Sequence, residues 1–355
     1  MRRRATVPGM RMRATGLGTS RRALILSLLA ALLLIASGCG EKEESLDPRG
    51  SERLDLLLDF FPNADHAGIY AAEAGGHFKD VGLDVRIRPP TDPAAPIKQV
   101  AAGRVDLAIS YAPEVLRARE QGLRVVSVAA LVQRPLTSII SLPKANIREP
   151  ADLEGKRVGT AGIDYQSAYL KTILERAAVK PGSVEERDVG FNLSPALLAG
   201  RVDAVLGAFW NYEGTDLRLR GKDPRIIRVD DAGIPRYDEL VVVANEDSLE
   251  ERGDAVRAFV GALARGTRDL QRKPQAALAG LLKANRDLDA KLQRAVIDVS
   301  LKENIFLPPK GKPYGYHEPA EWEGFTRFLR ERNVLDRLAD AREAYTNDYL
   351  PGQGL

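Results

Sequence analysis

Leu54-Asp55-Leu56-Leu57-Leu58-Asp59-Phe60 is an apolar run of strand length, and the segment Ala64 to Ala74 behind the Pro62-Asn63 turn has helical character. Asp84 to Arg88 then alternates, with Val85 and Ile87 on one face, and reads as a second strand. A helix over Ala94 to Ala102, a strand over Asp106 to Ser110 and a helix over Pro113 to Gln121 complete the pattern. Strands alternating with helices of this length need crossover connections, which implies a parallel α/β sheet.

The same rhythm returns downstream. Lys156 to Gly159 reads as a strand, Gln166 to Ala178 as a helix, Ser183 to Val189 as a strand, Ser194 to Ala199 as a helix and Asp203 to Phe209 as a strand. Between the two units, Val125 to Val132 and Thr137 to Leu142 are apolar strands that leave one lobe and enter the other, and Leu240 to Ala244 is a similar strand leading back. From Ser248 the chain turns helical, with Ala255, Phe259, Leu263 and Leu270 at helical spacing. The expected organisation is residues 52–140 as the first part of lobe 1, 141–240 as lobe 2, and 241–355 as the helical second part of lobe 1. Two lobes joined by two hinge strands leave a cleft between them, a natural place for a ligand.

The first 51 residues read differently. Arg21 and Arg22 precede Ala23 to Ile35, an apolar core of about a dozen residues, within the ~7–15 of a signal peptide. Roughly 20 would be needed to span a membrane. Ala36, Ser37 and Gly38 are small, and Cys39, the one cysteine of the chain, follows them. Residues 1–38 therefore read as a lipoprotein signal, Cys39 as the lipidated residue and membrane anchor, and 39–51 as a tether. The alternative is an ordinary secretory signal beside a core cysteine. Thr19 to Leu24 resembles a twin-arginine signal, so both export routes stay open, and Met10 or Met12 is an alternative start.

Cleavage changes the charge. The leader holds seven arginines and no acid, which leaves 45 basic and 49 acidic residues in the mature chain. A mildly acidic body lacks the electrostatic footprint of a nucleic-acid binder. With a single cysteine, an internal disulfide and a cysteine-based metal cluster are both excluded.

The segment Asp59-Phe60-Phe61-Pro62-Asn63-Ala64-Asp65-His66-Ala67-Gly68-Ile69-Tyr70 resembles the opening motif of the thiamine-pyrimidine-precursor binding proteins, which bind hydroxymethylpyrimidine or formylaminopyrimidine. These form a branch of the type II solute-binding proteins of ABC importers. Ala102 to Tyr111, Leu131 to Leu136, Val189 to Leu193 and Gly207 to Glu213 match further blocks in order. The resemblance covers roughly residues 54–250. It implies a type II periplasmic-binding-protein (Venus-flytrap) fold that captures an aminopyrimidine-like ligand and delivers it to an ABC permease, with no cofactor and no metal.

A flat heteroaromatic ligand needs aromatic walls and a few fixed polar groups. Phe60, Tyr70, Tyr111, Trp210 and Tyr212 lie in the matched blocks, although aromatics make up only 6% of the chain. Phe61 and Phe209 divide evenly between cleft and core. Glu213 is the acid suited to an exocyclic amine, and protonated it also donates to a ring nitrogen. Asn63 offers a donor and an acceptor, with a turn role as its alternative. Gly162 and Ser167, in the strand-to-helix loop Gly159 to Ser167, are candidates for a polar ligand tail. Phe60 and Asp164-Tyr165-Gln166 depart from the family pattern, which often has Trp and a Ser-Asp-Glu-like run there.

Fungal relatives of the fold are pyrimidine-synthesising enzymes with an active-site histidine, lysine-bound pyridoxal phosphate and a cysteine-rich iron-binding motif. His66 stands at a position resembling that histidine, but the cysteine motif is absent, which favours a cleft-lining or structural His66. His77 and His317 are isolated, and no metalloprotease or nucleophile-elbow motif occurs. Two other readings stay open: the same transport role for riboflavin, a sulfonate, nitrate or an amine, and a receptor domain feeding a sensor. A sulfonate or nitrate site calls for a buried cation, and Lys and Arg are sparse in the aromatic blocks.

Overall fold

The computed structural model describes residues 51–336 and 340–352. The leader, Cys39 and the tether up to Gly50 lie outside the described residues. Within the described residues the strands are β1 (Glu52–Leu57), β2 (Leu83–Arg88), β3 (Leu107–Ser110), β4 (Val125–Val132), β5 (Thr137–Ser141), β6 (Arg157–Thr160), β7 (Glu185–Asp188), β8 (Ala204–Phe209), β9 (Arg225–Arg228) and β10 (Leu240–Asn245).

They form two five-stranded sheets, ordered β2-β1-β3-β10-β4 and β7-β6-β8-β5-β9. In the first, β1 runs parallel to β2 and β3, while β10 is antiparallel to both β3 and β4. The second repeats this plan, with β6 parallel to β7 and β8 and with β5 antiparallel to β8 and β9. Strand β4 is buried at every position and β10 at all but Asn245, which explains their unbroken apolar sequences. β9 is the one strand that the sequence pattern missed. Its four residues, Arg225-Ile226-Ile227-Arg228, are half-buried at a sheet edge and too short for a period to show.

The chain changes sheet between Val132 and Thr137 and returns between Arg228 and Leu240. Residues 137–140 therefore pair in the second sheet, a little ahead of the boundary expected after residue 140, because β5 has its partners in β8 and β9. No helix of the described residues is long and apolar enough to cross a membrane.

The connecting helices are α1 (Ala67–Ala74), α2 (Ala95–Ala101), α3 (Ala112–Glu120), α4 (Asp164–Arg176), α5 (Leu193–Leu198) and α6 (Glu213–Leu219). The helical remainder is α7 (Leu249–Arg272), α8 (Pro274–Ala284), α9 (Ala290–Lys302) and α10 (Pro319–Glu331). α7 packs on α1 and against β2. Gly266 permits the close approach, since a Cβ there would sit 2.4 Å from the Gly68 carbonyl and 2.5 Å from the Ala72 nitrogen. α9 reaches both site loops, touching the turn Ala64–His66 on one side and α6 on the other.

The two crossings are fastened to each other by Glu239. Its Oε2 accepts from the Leu136 and Thr137 backbone N–H groups at 2.6 and 2.8 Å and from the Tyr237 hydroxyl at 3.0 Å, while Oε1 accepts from Thr137 Oγ1 at 2.9 Å. Next to it, Asp238 Oδ2 accepts from Trp322 Nε1 and pairs with His317 Nδ1, each at 2.8 Å, which ties the returning crossing to the C-terminal part. Replacing Glu239 by alanine strands two buried backbone donors, and we expect a stability loss of about 2–4 kcal/mol. Chemical denaturation measures it; a loss below about 0.5 kcal/mol would show that the crossings hold without this carboxyl.

Candidate functional site

Strand β1 ends at Leu57, and past Leu58, whose N–H still bonds the Arg88 carbonyl at 2.8 Å, the chain runs through Pro62 into a turn. Asn63 caps the turn Ala64–His66, its side chain accepting from the Asp65 N–H at 2.7 Å. In return His66 Nδ1 accepts from the Asn63 N–H at 3.2 Å. That bond makes Nδ1 an acceptor, so the ring proton sits on Nε2, which faces Asp59 Oδ1 at 2.8 Å. The other Asp59 oxygen accepts from the Tyr111 hydroxyl at 2.8 Å. Asp59, His66 and Tyr111 are all buried, and they link the loop after β1 to the residue that follows β3. These are the carboxyl ends of parallel strands, where open α/β sheets bind ligands.

The second sheet supplies the opposite wall in the same way. Gln166, in the first turn of α4, accepts from the Ala161 N–H at 2.8 Å. Its amide lies over Gly207, whose φ of +102° and lack of Cβ leave room for it; a Cβ would fall 2.4 Å from the Gln166 nitrogen. After β8, Glu213 opens α6 and its Oε2 accepts from the Phe209 N–H at 2.7 Å.

Together these segments line a partly open cavity between the sheets. Its aromatic lining is Phe60, Tyr111, Tyr165, Phe209 and Tyr212, and its polar lining includes Asn63, Asp65, His66, Gln166 and Glu213. No lysine or arginine is among the lining residues. Two acids stand out. Desolvation pushes the Glu213 carboxyl up to about 7 and the Asp65 carboxyl up to about 6.

The walls meet across the cleft. Asn211 Nδ2 donates to Asp65 Oδ1 at 2.6 Å and to Ser300 Oγ of α9 at 3.0 Å. At the mouth, the half-exposed Phe61 and its neighbour Phe60 pack on Phe191, with ring centroids 4.6 and 4.8 Å apart.

Of the residues expected at the site, Phe60, Asn63, His66, Tyr111, Tyr212 and Glu213 line this cavity, as does Phe209. Four others do not. Tyr70 is buried within α1. Gly162, with φ of +74°, packs its backbone against Asp188 while its neighbours Ala161 and Ile163 form the wall. Ser167 is exposed and donates to Glu186 at 2.6 Å, because one further step along α4 turns it away from Gln166. Trp210 is buried beside the outgoing crossing: its Nε1 donates to the Pro135 carbonyl at 3.2 Å and the Arg228 guanidinium stacks 4.1 Å over the ring. It follows β8 as expected, but its ring packs on the crossing and not on the cavity.

Asp59, Asp65, Tyr165 and Gln166 also line the cavity, though they are not among the site residues named from the sequence. Asp65 lies inside the capping box of Asn63 and His66, and Asp59 precedes it and pairs with that histidine; the box is the signal the sequence offers. Tyr165 and Gln166 sit in the run Asp164-Tyr165-Gln166, which was read as a departure from a pattern; Gln166 in the first turn of a helix was the signal for a backbone-bonding side chain.

Comparison with known proteins places this architecture. The chain is 37% identical over 91% of its length, and 98% of the relative's, to the formylaminopyrimidine-binding protein of Halalkalibacterium halodurans. It is 24% identical over 84% of its length, and 92% of the relative's, to the 4-amino-5-hydroxymethyl-2-methylpyrimidine phosphate synthase of Legionella pneumophila. Among solved structures, the periplasmic aliphatic sulphonate binding protein of Escherichia coli superposes with a TM-score of 0.64 at 16% identity, covering 84% of this chain and 98% of that one. The two-sheet architecture is that of the periplasmic binding proteins. Residues 63–277 match the profile of the NMT1/THI5-like family, and the chain belongs to that family.

Proposed function

We propose that this protein captures an aminopyrimidine of the formylaminopyrimidine type in the cavity between its sheets and presents it to an ABC permease, tethered to the membrane through lipid on Cys39. The observation that carries the ligand class is Glu213: a carboxyl group with one oxygen held by the Phe209 N–H, raised to about 7, in an aromatic cavity lined by no cation. A carboxyl that keeps its proton donates to a pyrimidine ring nitrogen and accepts from the adjacent exocyclic amine. Phe60, Tyr111, Tyr165, Phe209 and Tyr212 supply the apolar walls a flat ring needs. A sulfonate or nitrate would meet acids here and no positive side chain.

Binding is favoured over catalysis by the way His66 is used. Both ring nitrogens are engaged within its own segment and with Asp59, so it orders the loop and is not poised as a base. The relatives that are synthases keep the catalytic reading as the second one. A ligand touching both walls stabilises their approach, and this is what a permease would sense.

The complex holds one proton shared by Glu213 and the ring nitrogen. Up to about pH 7 unliganded Glu213 already carries it; above that, binding must take a proton up, so affinity falls by up to ~tenfold per pH unit. Glu213→Gln offers an N–H to the ring nitrogen and a carbonyl to the amine, and we expect it to retain binding with a flattened pH profile. Glu213→Ala should weaken binding by at least ~tenfold. Isothermal titration with formylaminopyrimidine from pH 6 to 9 reads both. A glutamine variant as steeply pH-dependent as wild type would remove Glu213 from this role, and binding of a sulfonate or riboflavin in preference would remove the ligand class. For the anchor, cells fed an alkyne-tagged palmitate should label the full chain and not Cys39→Ser; equal labelling of both would contradict it.

A further inference from the structure

Asp65 is an acid that the proposed pairing does not use. It lines the cavity and is 3% exposed. Its position is fixed from two sides: Asn63 holds its backbone N–H, and Asn211 from the opposite wall holds Oδ1 at 2.6 Å. Its Oδ2 is buried and has no hydrogen-bond partner. A carboxyl oxygen left bare in a pre-built wall costs stability in the empty protein. Such groups persist where a ligand completes them.

We propose that Asp65 is a second recognition group whose Oδ2 receives an N–H from a substituent on the ring, so that the site prefers an aminopyrimidine carrying a cationic amine arm over one carrying a hydroxyl arm. The inference rests on the aminopyrimidine reading above and adds the charge of the side arm to it. Asp65 and Glu213 come from opposite walls, and the charge of Asp65 contributes to raising the Glu213 carboxyl, which adds to the negative character of the cavity. The other titratable groups around Asp65 are His66 and Asp59 from its own segment and Tyr212 from the opposite wall, none of them a fixed cation. An ammonium brings a full positive charge to the Asp65 carboxylate where a hydroxyl brings only a dipole, so only the ammonium gains the charge–charge attraction.

The test compares two ligands with the same ring, 4-amino-5-aminomethyl-2-methylpyrimidine and 4-amino-5-hydroxymethyl-2-methylpyrimidine, by isothermal titration at pH 7.5. Wild type should bind the ammonium form at least ~tenfold more tightly. Asp65→Asn keeps the acceptor for Asn211 but loses the charge, and should cut that preference at least ~tenfold. A preference within about threefold of wild type would overturn the proposal. Wild type itself gives a second readout: lowering the pH from 7.5 to 5 protonates Asp65 while the amine stays charged, so the preference must shrink, and a constant preference overturns the proposal whether or not the variant folds. If wild type binds neither pyrimidine, the aminopyrimidine reading falls as well, an outcome distinct from two good ligands with no discrimination.

Discussion

The carboxyl group of Asp59 is the point on which the site is built. It accepts from His66 and Tyr111 in a buried setting, and through them it ties the turn after β1 to the first residue beyond β3. His66 is in turn locked by the Asn63 N–H, and Asn63 by its cap of the Ala64–His66 turn. Three side chains and the Asn63 backbone N–H thus satisfy one another with little recourse to solvent, and a network of this kind gives a single geometry to the loop. Most of the polar lining that the first sheet contributes to the cavity hangs from that loop, Asp59, Asn63, Asp65 and His66 among it, with Phe60 beside them. His66, at the position resembling a catalytic histidine, orders this loop through both of its ring nitrogens.

The second wall follows a different logic. There the backbone is held by long polar side chains, Gln166 on the Ala161 N–H and Glu213 on the Phe209 N–H, reaching back from helix starts. Each leaves the rest of its polar end toward the cavity. The two walls are joined by the crossings, with Glu239 fastening one crossing to the other. Asn211 then spans the gap to Asp65 and α9. Ligand capture in such a frame is a matter of completing contacts between two surfaces that already face each other.

Much of this was legible in the sequence. The alternation of strands and helices pointed to both sheets, because most parallel strands carry apolar residues; the exception is the charged β7, which is legible only from its place between two helices. β9 escaped notice because an edge strand of four residues carries no period. The site was legible as segments but less so as side chains. The blocks around residues 59–70, 111 and 207–213 do converge, yet Trp210 and Tyr70 turn into packing while Asp65 and Gln166 turn into the cavity. Aromatic character cannot separate these cases, since a buried indole and a ligand-stacking ring look alike in sequence. Direction along a helix separates Ser167 from Gln166, one residue apart, and that depends on where α4 begins. It begins at Asp164, two residues before the expected start.

An aromatic cavity lined by two acids of raised pKa and by no lysine or arginine suits an aminopyrimidine, in a protein otherwise shaped like binders of quite different solutes. Native mass spectrometry of the protein purified without added ligand tests it most directly. The account predicts an added mass equal to an aminopyrimidine on a fraction of the wild-type molecules, released on denaturation, and lost from Glu213→Ala. A retained sulfonate, flavin or other solute, or an aminopyrimidine held equally well by Glu213→Ala, would contradict it.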